Sequence, residues 1–216
     1  MKIKPALIFA VLAVLIILIT FFSILTFGPE TEEFKAGDVL DFRHLKNRLL
    51  SQKVGAPFYQ VAGFDSLVYY LPNPGERFLA EVIPVKDGEE LDLMPDRPGY
   101  PSHRVTGYAV IKKDIWTDTL FILKDLEETS DTLFFVPFSD PGNGRQSYGG
   151  GRYLDLIIKP GKPVQIDFNY AYNPYCAYNA SFVCARIPGF NRLSREIEAG
   201  EKDYPHADSS AVAFPH

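Results

Sequence analysis

Arg104-Val105-Thr106-Gly107-Tyr108-Ala109-Val110-Ile111-Lys112 is the run whose period decides the fold class. Val105, Gly107, Ala109 and Ile111 fall on one side, and Arg104, Thr106 and Tyr108 on the other, the period of a half-buried strand. Further short runs rich in β-branched and aromatic residues lie on either side, at Leu67–Leu71, Phe78–Val85, Thr119–Leu126, Leu133–Phe138, Tyr153–Ile158 and Val164–Asn169. Turn formers separate them at Pro72-Asn73-Pro74-Gly75, Lys86-Asp87-Gly88 and Pro98-Gly99. Many short strands at this spacing predict a mainly β domain, an antiparallel β-sandwich or partly open barrel. The 12 Tyr and 17 Phe are enough to fill such a core, so most aromatics need no functional role.

A helix is predicted before the strands, from Asp38 as cap to Val54-Gly55, with Asp41 in its first turn and Phe42, Leu45 and Leu49 at helical spacing. His44 lies on it without a second histidine four residues away and reads as a surface residue. A short helix is predicted after the strands, capped by Asn191 or Ser194, running through Ile197 and ended by Gly200.

The N-terminus has a different character. No charged residue occurs from Pro5 to Pro29, and the 23 residues Ala6–Gly28 are almost wholly Leu, Ile, Val, Phe and Ala. At ~1.5 Å per residue they reach roughly 34 Å, enough to cross a hydrocarbon core of ~30 Å. A cleavable secretory signal has a shorter apolar region followed by small residues, and here Pro29 follows Thr26-Phe27-Gly28. The reading is an uncleaved transmembrane signal-anchor. Lys2 and Lys4 precede it while Glu30, Glu32 and Glu33 follow, so the positive-inside bias leaves the N-terminus in the cytoplasm. The expected organisation is a cytoplasmic N-terminus (1–4), the span (5–29), a linker (30–37), a mainly β domain outside the cytoplasm (38–205) and a disordered tail (206–216).

Setting Lys2 and Lys4 aside from the 22 basic residues, against 27 acidic ones, leaves a formal −7 beyond the span. That balance argues against nucleic acid as a partner. The expected partners are the membrane, through the N-terminal helix, and an unknown small molecule or envelope component. Cys176 and Cys184 stand eight positions apart, and in a domain outside the cytoplasm such a pair reads as a disulfide; two free buried thiols are the alternative.

The least ordinary stretch runs from Tyr148-Gly149-Gly150-Gly151-Arg152-Tyr153 through Asp167-Phe168-Asn169-Tyr170-Ala171-Tyr172-Asn173-Pro174-Tyr175-Cys176-Ala177-Tyr178-Asn179. It ends with Asn191-Arg192-Leu193 and Glu198-Ala199-Gly200-Glu201-Lys202. This trio of motifs resembles the uncharacterised bacterial family catalogued as domain of unknown function sixteen eighty-four. The resemblance covers most of the part beyond the span and implies no activity.

Within that stretch Leu154, Leu156 and Ile158 share one face of a strand, with Tyr153 and Asp155 on the other. Val164, Ile166 and Phe168 share one face of the next, with Asp167 and Asn169 on the other. Lys159-Pro160-Gly161-Lys162 reads as a hairpin turn between them, which would bring Asp155 and Asp167 together on a polar face. Opposed like charges need a cation, an arginine or a raised pKa to relieve them, and Arg152 and Arg192 are the nearest partners by sequence. Asp167 and Asn169 also suit a structural role, bonding backbone groups of the irregular segment that follows. Arg152 also suits a plain salt bridge.

The three glycines lack the Gly-Lys-Ser/Thr ending of a phosphate loop and any dinucleotide-type spacing. They suit a turn with positive φ or a close backbone approach. The four histidines (44, 103, 206, 216) form no zinc pattern, and Ser147 lies outside any nucleophile-elbow spacing. No metal and no cofactor is expected.

Three functions follow. The first is a membrane-tethered binding or accessory domain whose small-molecule ligand, carbohydrate-like rings among the candidates, contacts Tyr148, Gly149, Gly150, Arg152, Tyr153, Asn169, Asn173, Tyr178 and Glu201. The second is a hydrolase pairing Asp155 or Asp167 with Glu198 as acid and base, with Glu198 and Glu201 completing an acidic cluster. The third is a structural envelope protein.

Overall fold

Residues 12–20, 33–95, 97 and 99–204 are described in the computed structural model of the chain. Eight strands form among them: β1 (Arg77–Ala80), β2 (Val82–Pro84), β3 (Glu90–Leu91), β4 (His103–Lys113), β5 (Trp116–Asp125), β6 (Leu133–Phe138), β7 (Arg152–Ile157) and β8 (Val164–Asp167). A six-stranded sheet has the order β2-β4-β5-β6-β7 with β3 also paired to β4, and a two-stranded sheet pairs β1 with β8. Every pairing is antiparallel. The domain is therefore mainly β and its sheets do not close into a barrel.

The alternating run at 104–112 forms the middle of β4, paired with β5 from His103↔Asp125 to Lys113↔Trp116. Its faces differ from the expectation at one place. The register shifts between Val105 and Gly107, and a bulge of this kind turns the side chains before it onto the opposite face. Val105 consequently joins Leu123 and Tyr153 on one side of the sheet, while Ala109 and Ile111 join Leu120, Val136 and Leu154 on the other. The second group meets Phe78, Ala80, Val164 and Ile166 of the small sheet, and this is the main core.

Lys159–Lys162 makes a turn closed by Lys162 N–H donating to the Lys159 carbonyl, but not a hairpin. β7 pairs with β6, and β8 crosses to β1, with Arg77 opposite Asp167. Asp155 and Asp167 therefore lie in different sheets and do not oppose each other. The faces assigned to each strand hold: Leu154, Leu156, Val164, Ile166 and Phe168 all enter the main core.

The leading helix spans Ala36–Gln52, with Lys35 at the N-cap position and Asp38 in the first turn rather than capping. Leu45 and Leu49 point outward, at 47% and 52% exposure. The buried stripe is Val39, Arg43 and Leu50, because two cations on that side find partners inside. Phe42 packs edge-on against Tyr170. His44 is exposed, as expected.

Leu67–Leu71 forms no strand; it contributes the single bridge Tyr69↔Glu201. The predicted helix over 191–197 does not form either. Its backbone is drawn into other bonds, Asn191 and Leu193 with Ser139 and the carbonyls of Ile197 and Ala199 with Arg152.

Residues 12–20 are helical and belong to a unit separate from residues 34 onward. The rest of the expected 5–29 span and the 206–216 tail lie outside the described residues. Among the described residues no helix is long and apolar enough to cross a membrane.

Candidate functional site

Gly151 and Gly200 fix the backbone around which the site is built. Gly151 has φ +88°, and a Cβ there would stand 2.8 Å from the Phe138 carbonyl oxygen. Gly200 has φ +76°, and a Cβ there would stand 2.5 Å from the carbonyl oxygen of Ala171. Both conditions, positive φ and no room, demand glycine.

The turn at Gly151 delivers Arg152 into the interior, where its side chain is 0% exposed. Its Nη1 donates to the carbonyls of Ala199 (2.5 Å) and Glu201 (3.2 Å), and its Nη2 to Ile197 O (2.9 Å) and Asp140 Oδ2 (2.8 Å). One guanidinium thus holds the 197–201 segment as an irregular strap and neutralises a buried carboxylate. Asp140 in turn accepts from Gly142 N–H at 2.7 Å. Asn143 accepts from Asp140 N–H and donates to Ser147 Oγ, so the 140–147 loop is braced from within.

Glu201, also 0% exposed, faces the opposite way from its neighbour Lys202. Its Oε1 stands 2.5 Å from Lys46 Nζ. Its Oε2 accepts from Asn173 N–H at 2.8 Å and from the Tyr178 hydroxyl. Burial lowers the Lys46 pKa, with Glu201 pulling it back up. Burial, and then Glu201, raise that of Tyr178. Lys46 also lies 4.3 Å from the centre of the Tyr172 ring, whose hydroxyl donates to both oxygens of Asp155. Arg43, one turn earlier on the helix, donates to Tyr70 O at 2.8 Å and sits over the Tyr69 ring.

The remaining sequence-derived residues are placed as follows. Asp167 pairs with Arg77 at 2.9 Å and accepts from the backbone and side-chain N–H groups of Asn169. Burial nonetheless raises its pKa, as it does for Asp155 against the pull of Tyr172 and Lys46. Asn169 exchanges two bonds with the backbone of Asn73, a structural role played in the 72–75 turn rather than in the segment that follows Asn169. Tyr153 donates to Ala185 O. Tyr148 donates to Cys176 Sγ at 3.8 Å. Gly149 and Gly150 are exposed. Cys176 and Cys184 form a disulfide with Cα atoms 6.0 Å apart.

Beside this braced frame opens a cleft of about 760 Å³. One wall is the 69–73 segment, the second is Arg145 and Gln146 from the 140–147 loop, and the third is Glu196, Glu198 and Lys202. The walls are tied by Tyr70 N–H to Gly200 O (3.0 Å), Lys202 N–H to Val68 O (2.9 Å) and Asp203 N–H to Gln146 O (3.0 Å). Arg145 pairs with Glu196 at 3.0 Å. The Tyr70 hydroxyl oxygen is buried without a hydrogen-bond partner, and Lys202 Nζ lies 4.7 Å from the centre of the Tyr70 ring.

Of the sequence-derived candidates, Glu198 lines this cleft; Asp155, Asp167 and the tyrosine-glycine turn do not. Glu198 and Glu201 face different surroundings and form no acidic cluster. Arg152, Asn173 and Tyr178 are interior members of the frame. Tyr70, Arg145 and Gln146 carried no motif signal, and Lys202 closes the 198–202 motif without having been singled out: they become neighbours when the 69–73 segment docks on the strap. Among the described residues no group of His, Cys, Asp and Glu is arranged to hold a metal ion.

A family model described as "Protein of unknown function (DUF1684)" matches residues 62–202. The solution structure of an uncharacterized protein from Haloarcula marismortui is similar, with 30% identity and a TM-score of 0.62, covering 77% of this chain and 92% of that one. No match is found among curated proteins. The Ala36–Gln52 helix, with Arg43 and Lys46, precedes the family match, whereas the cleft walls and Arg152 lie within it. On the extent of that match, the chain belongs to the DUF1684 family.

Proposed function

We propose that the chain is a membrane-tethered binding domain, held outside the cytoplasm by an N-terminal span over 5–29, that takes a small polar molecule in the cleft between the 69–73 segment, the 145–146 turn and the 196–202 strap. The observation that carries this reading is the buried, unpartnered Tyr70 hydroxyl in a cleft of ligand size. The family motifs supply its frame. Arg152 fixes the strap, and Asn173 and Tyr178 hold Glu201, so that Lys202 is turned toward the opening.

Binding is favoured over carboxylate hydrolysis because Asp155 and Asp167 are engaged elsewhere, by Tyr172 and Arg77. An acid and base flanking one substrate must share a cleft. The cleft beside the motifs also favours binding over a purely structural envelope role. The test is calorimetric titration of the full chain in detergent with neutral sugars, amino acids, short peptides and inorganic phosphate. The substitution Q146A, on the exposed rim, is expected to weaken whichever probe binds without moving the unfolding midpoint. Binding that survives Q146A, Y70F and K202A alike would place the ligand elsewhere.

A further inference from the structure

The charges in the cleft do not cancel in pairs. Arg145 is matched by Glu196. Glu198 and Lys202 line the same cleft, and neither has an ion-pair partner within 4 Å among the described residues, each other included. What remains is one carboxylate, one ammonium group and one unpartnered hydroxyl, set apart on a frame whose backbone is fixed on every side. Lys202 is held by its N–H to Val68 and by its carbonyl, which accepts from Asn173 Nδ2 at 2.8 Å. Glu198 sits between Ile197 and Ala199, whose carbonyls are both bound by Arg152.

A fixed pair of opposite charges that do not meet is complementary to a molecule carrying both charges in the reverse order. A purely anionic ligand would meet Lys202 but also Glu198, and a purely cationic one would meet the reverse penalty. A neutral sugar would leave both charges partly desolvated without an ionic partner. Resting on the binding reading above, we infer that the cleft recognises a small zwitterion, a short peptide with both termini free. Its carboxylate is taken by Lys202 with the Tyr70 hydroxyl as second donor, and its ammonium group by Glu198. The cleft's volume of about 760 Å³ leaves room for one or more peptide units between the two charged ends, so the ligand is taken as a short peptide rather than a single amino acid.

Triglycine is the probe, with N-acetyl-triglycine, triglycine amide and glucose as comparisons, each titrated calorimetrically into the full chain in detergent. Triglycine is expected to bind, and blocking either terminus is expected to weaken it at least about fivefold, the loss of one charge-assisted hydrogen bond. Glu198→Gln is expected to weaken triglycine while removing the difference between it and the acetylated form. Lys202→Gln is expected to do the same for the amide. Both positions are at the surface of the cleft and outside the buried frame, so folding is expected to persist, checked by the unfolding midpoint.

Triglycine that binds equally well with either end blocked overturns the zwitterion inference. So does glucose binding in a Tyr70→Phe-sensitive manner while triglycine does not, a result that leaves the cleft reading standing. End-dependent binding of triglycine that is indifferent to both E198Q and K202Q removes the cleft as its location, and absence of triglycine binding overturns the zwitterion inference while the wider probe set decides the binding reading.

Discussion

Lys46 Nζ stands 2.5 Å from Glu201 Oε1, joining a helix that precedes the family match to the residue before the match ends. The carboxylate is fully buried and also bonded by Asn173 and Tyr178, so it stays satisfied in part if the lysine is lost. Its charge does not. Lys46→Met is expected to cost about 3–5 kcal/mol of stability by stranding that charge. With Glu201→Gln added, a neutral amide can still accept from both donors, and the double variant is expected to recover most of the loss. Urea unfolding of the four proteins in the cycle measures the coupling, and simple additivity would show that the pair does not interact.

Arg152 donates four hydrogen bonds without exposing any of its side chain. Arg152→Met would leave Asp140 as an unpaired buried charge and three carbonyls without these donors, a loss of about 3–5 kcal/mol or more. Arg152→Lys keeps the charge but not the planar fork and should recover only part. Because the guanidinium bonds lie on the strap, hydrogen exchange at Glu201 and Lys202 is expected to speed up in both variants before the sheets open. Unchanged protection there would mean that the strap is held by other contacts.

Alternation in β4, β7 and β8, and runs of β-branched and aromatic residues in β5 and β6, are local signals, which is why β4 to β8 were found near their true bounds. Long-range pairing was not. Nothing in Lys159–Lys162 distinguishes a hairpin turn from the turn by which β8 leaves to meet β1, a strand with Arg77 opposite Asp167. The 191–197 stretch has helix-like spacing, but Arg152 and Ser139 compete for its backbone groups and win. The helix misled in another way. Its outward Leu45 and Leu49 resemble a core stripe, while Arg43 and Lys46 go inside because Tyr70 O and Glu201 are there to receive them. The motif residues Arg152, Asn173 and Tyr178 stand in the interior frame beside the cleft. Apart from Glu198 and Lys202 of the 198–202 motif, the residues lining the cleft became visible only when three distant segments met.

His103 supplies a pH dependence. It is buried between Tyr100 and Phe135, with its Nδ1 3.1 Å from Pro101 O and Asp125 as its cross-strand partner. Burial lowers its pKa from 6.5, while Asp125 and the Pro101 carbonyl act in the other direction. The unfolded chain therefore binds this proton more readily than the folded one. Stability from this group is complete above pH 6.5 and is lost as pH falls from there through the lower folded pKa. His103→Phe is expected to flatten the decline in unfolding midpoint as pH falls below 6.5, relative to the parent chain. Parallel profiles for the two proteins would show that His103 does not titrate differently on folding.

The Cys176–Cys184 disulfide closes a loop that carries part of the cleft frame. The loop it closes contains Ala177 and Tyr178, which pack with Leu50, Phe58 and Leu67, and Tyr178 bonds Glu201. Closing so short a loop is worth ~2.5 kcal/mol in the chain-entropy model. The unfolding midpoint of the parent chain should therefore drop under reductant, while C176S/C184S stays at the lower value in both conditions. If residues 5–29 tether the domain outside the cytoplasm, the two thiols of the full chain should resist alkylation in intact cells. A form lacking residues 5–29, retained in a reducing cytosol, should be alkylated once unfolded. Equal labelling of the two forms would contradict the signal-anchor reading, whereas an unchanged midpoint under reductant would contradict only the stabilising role of the bond.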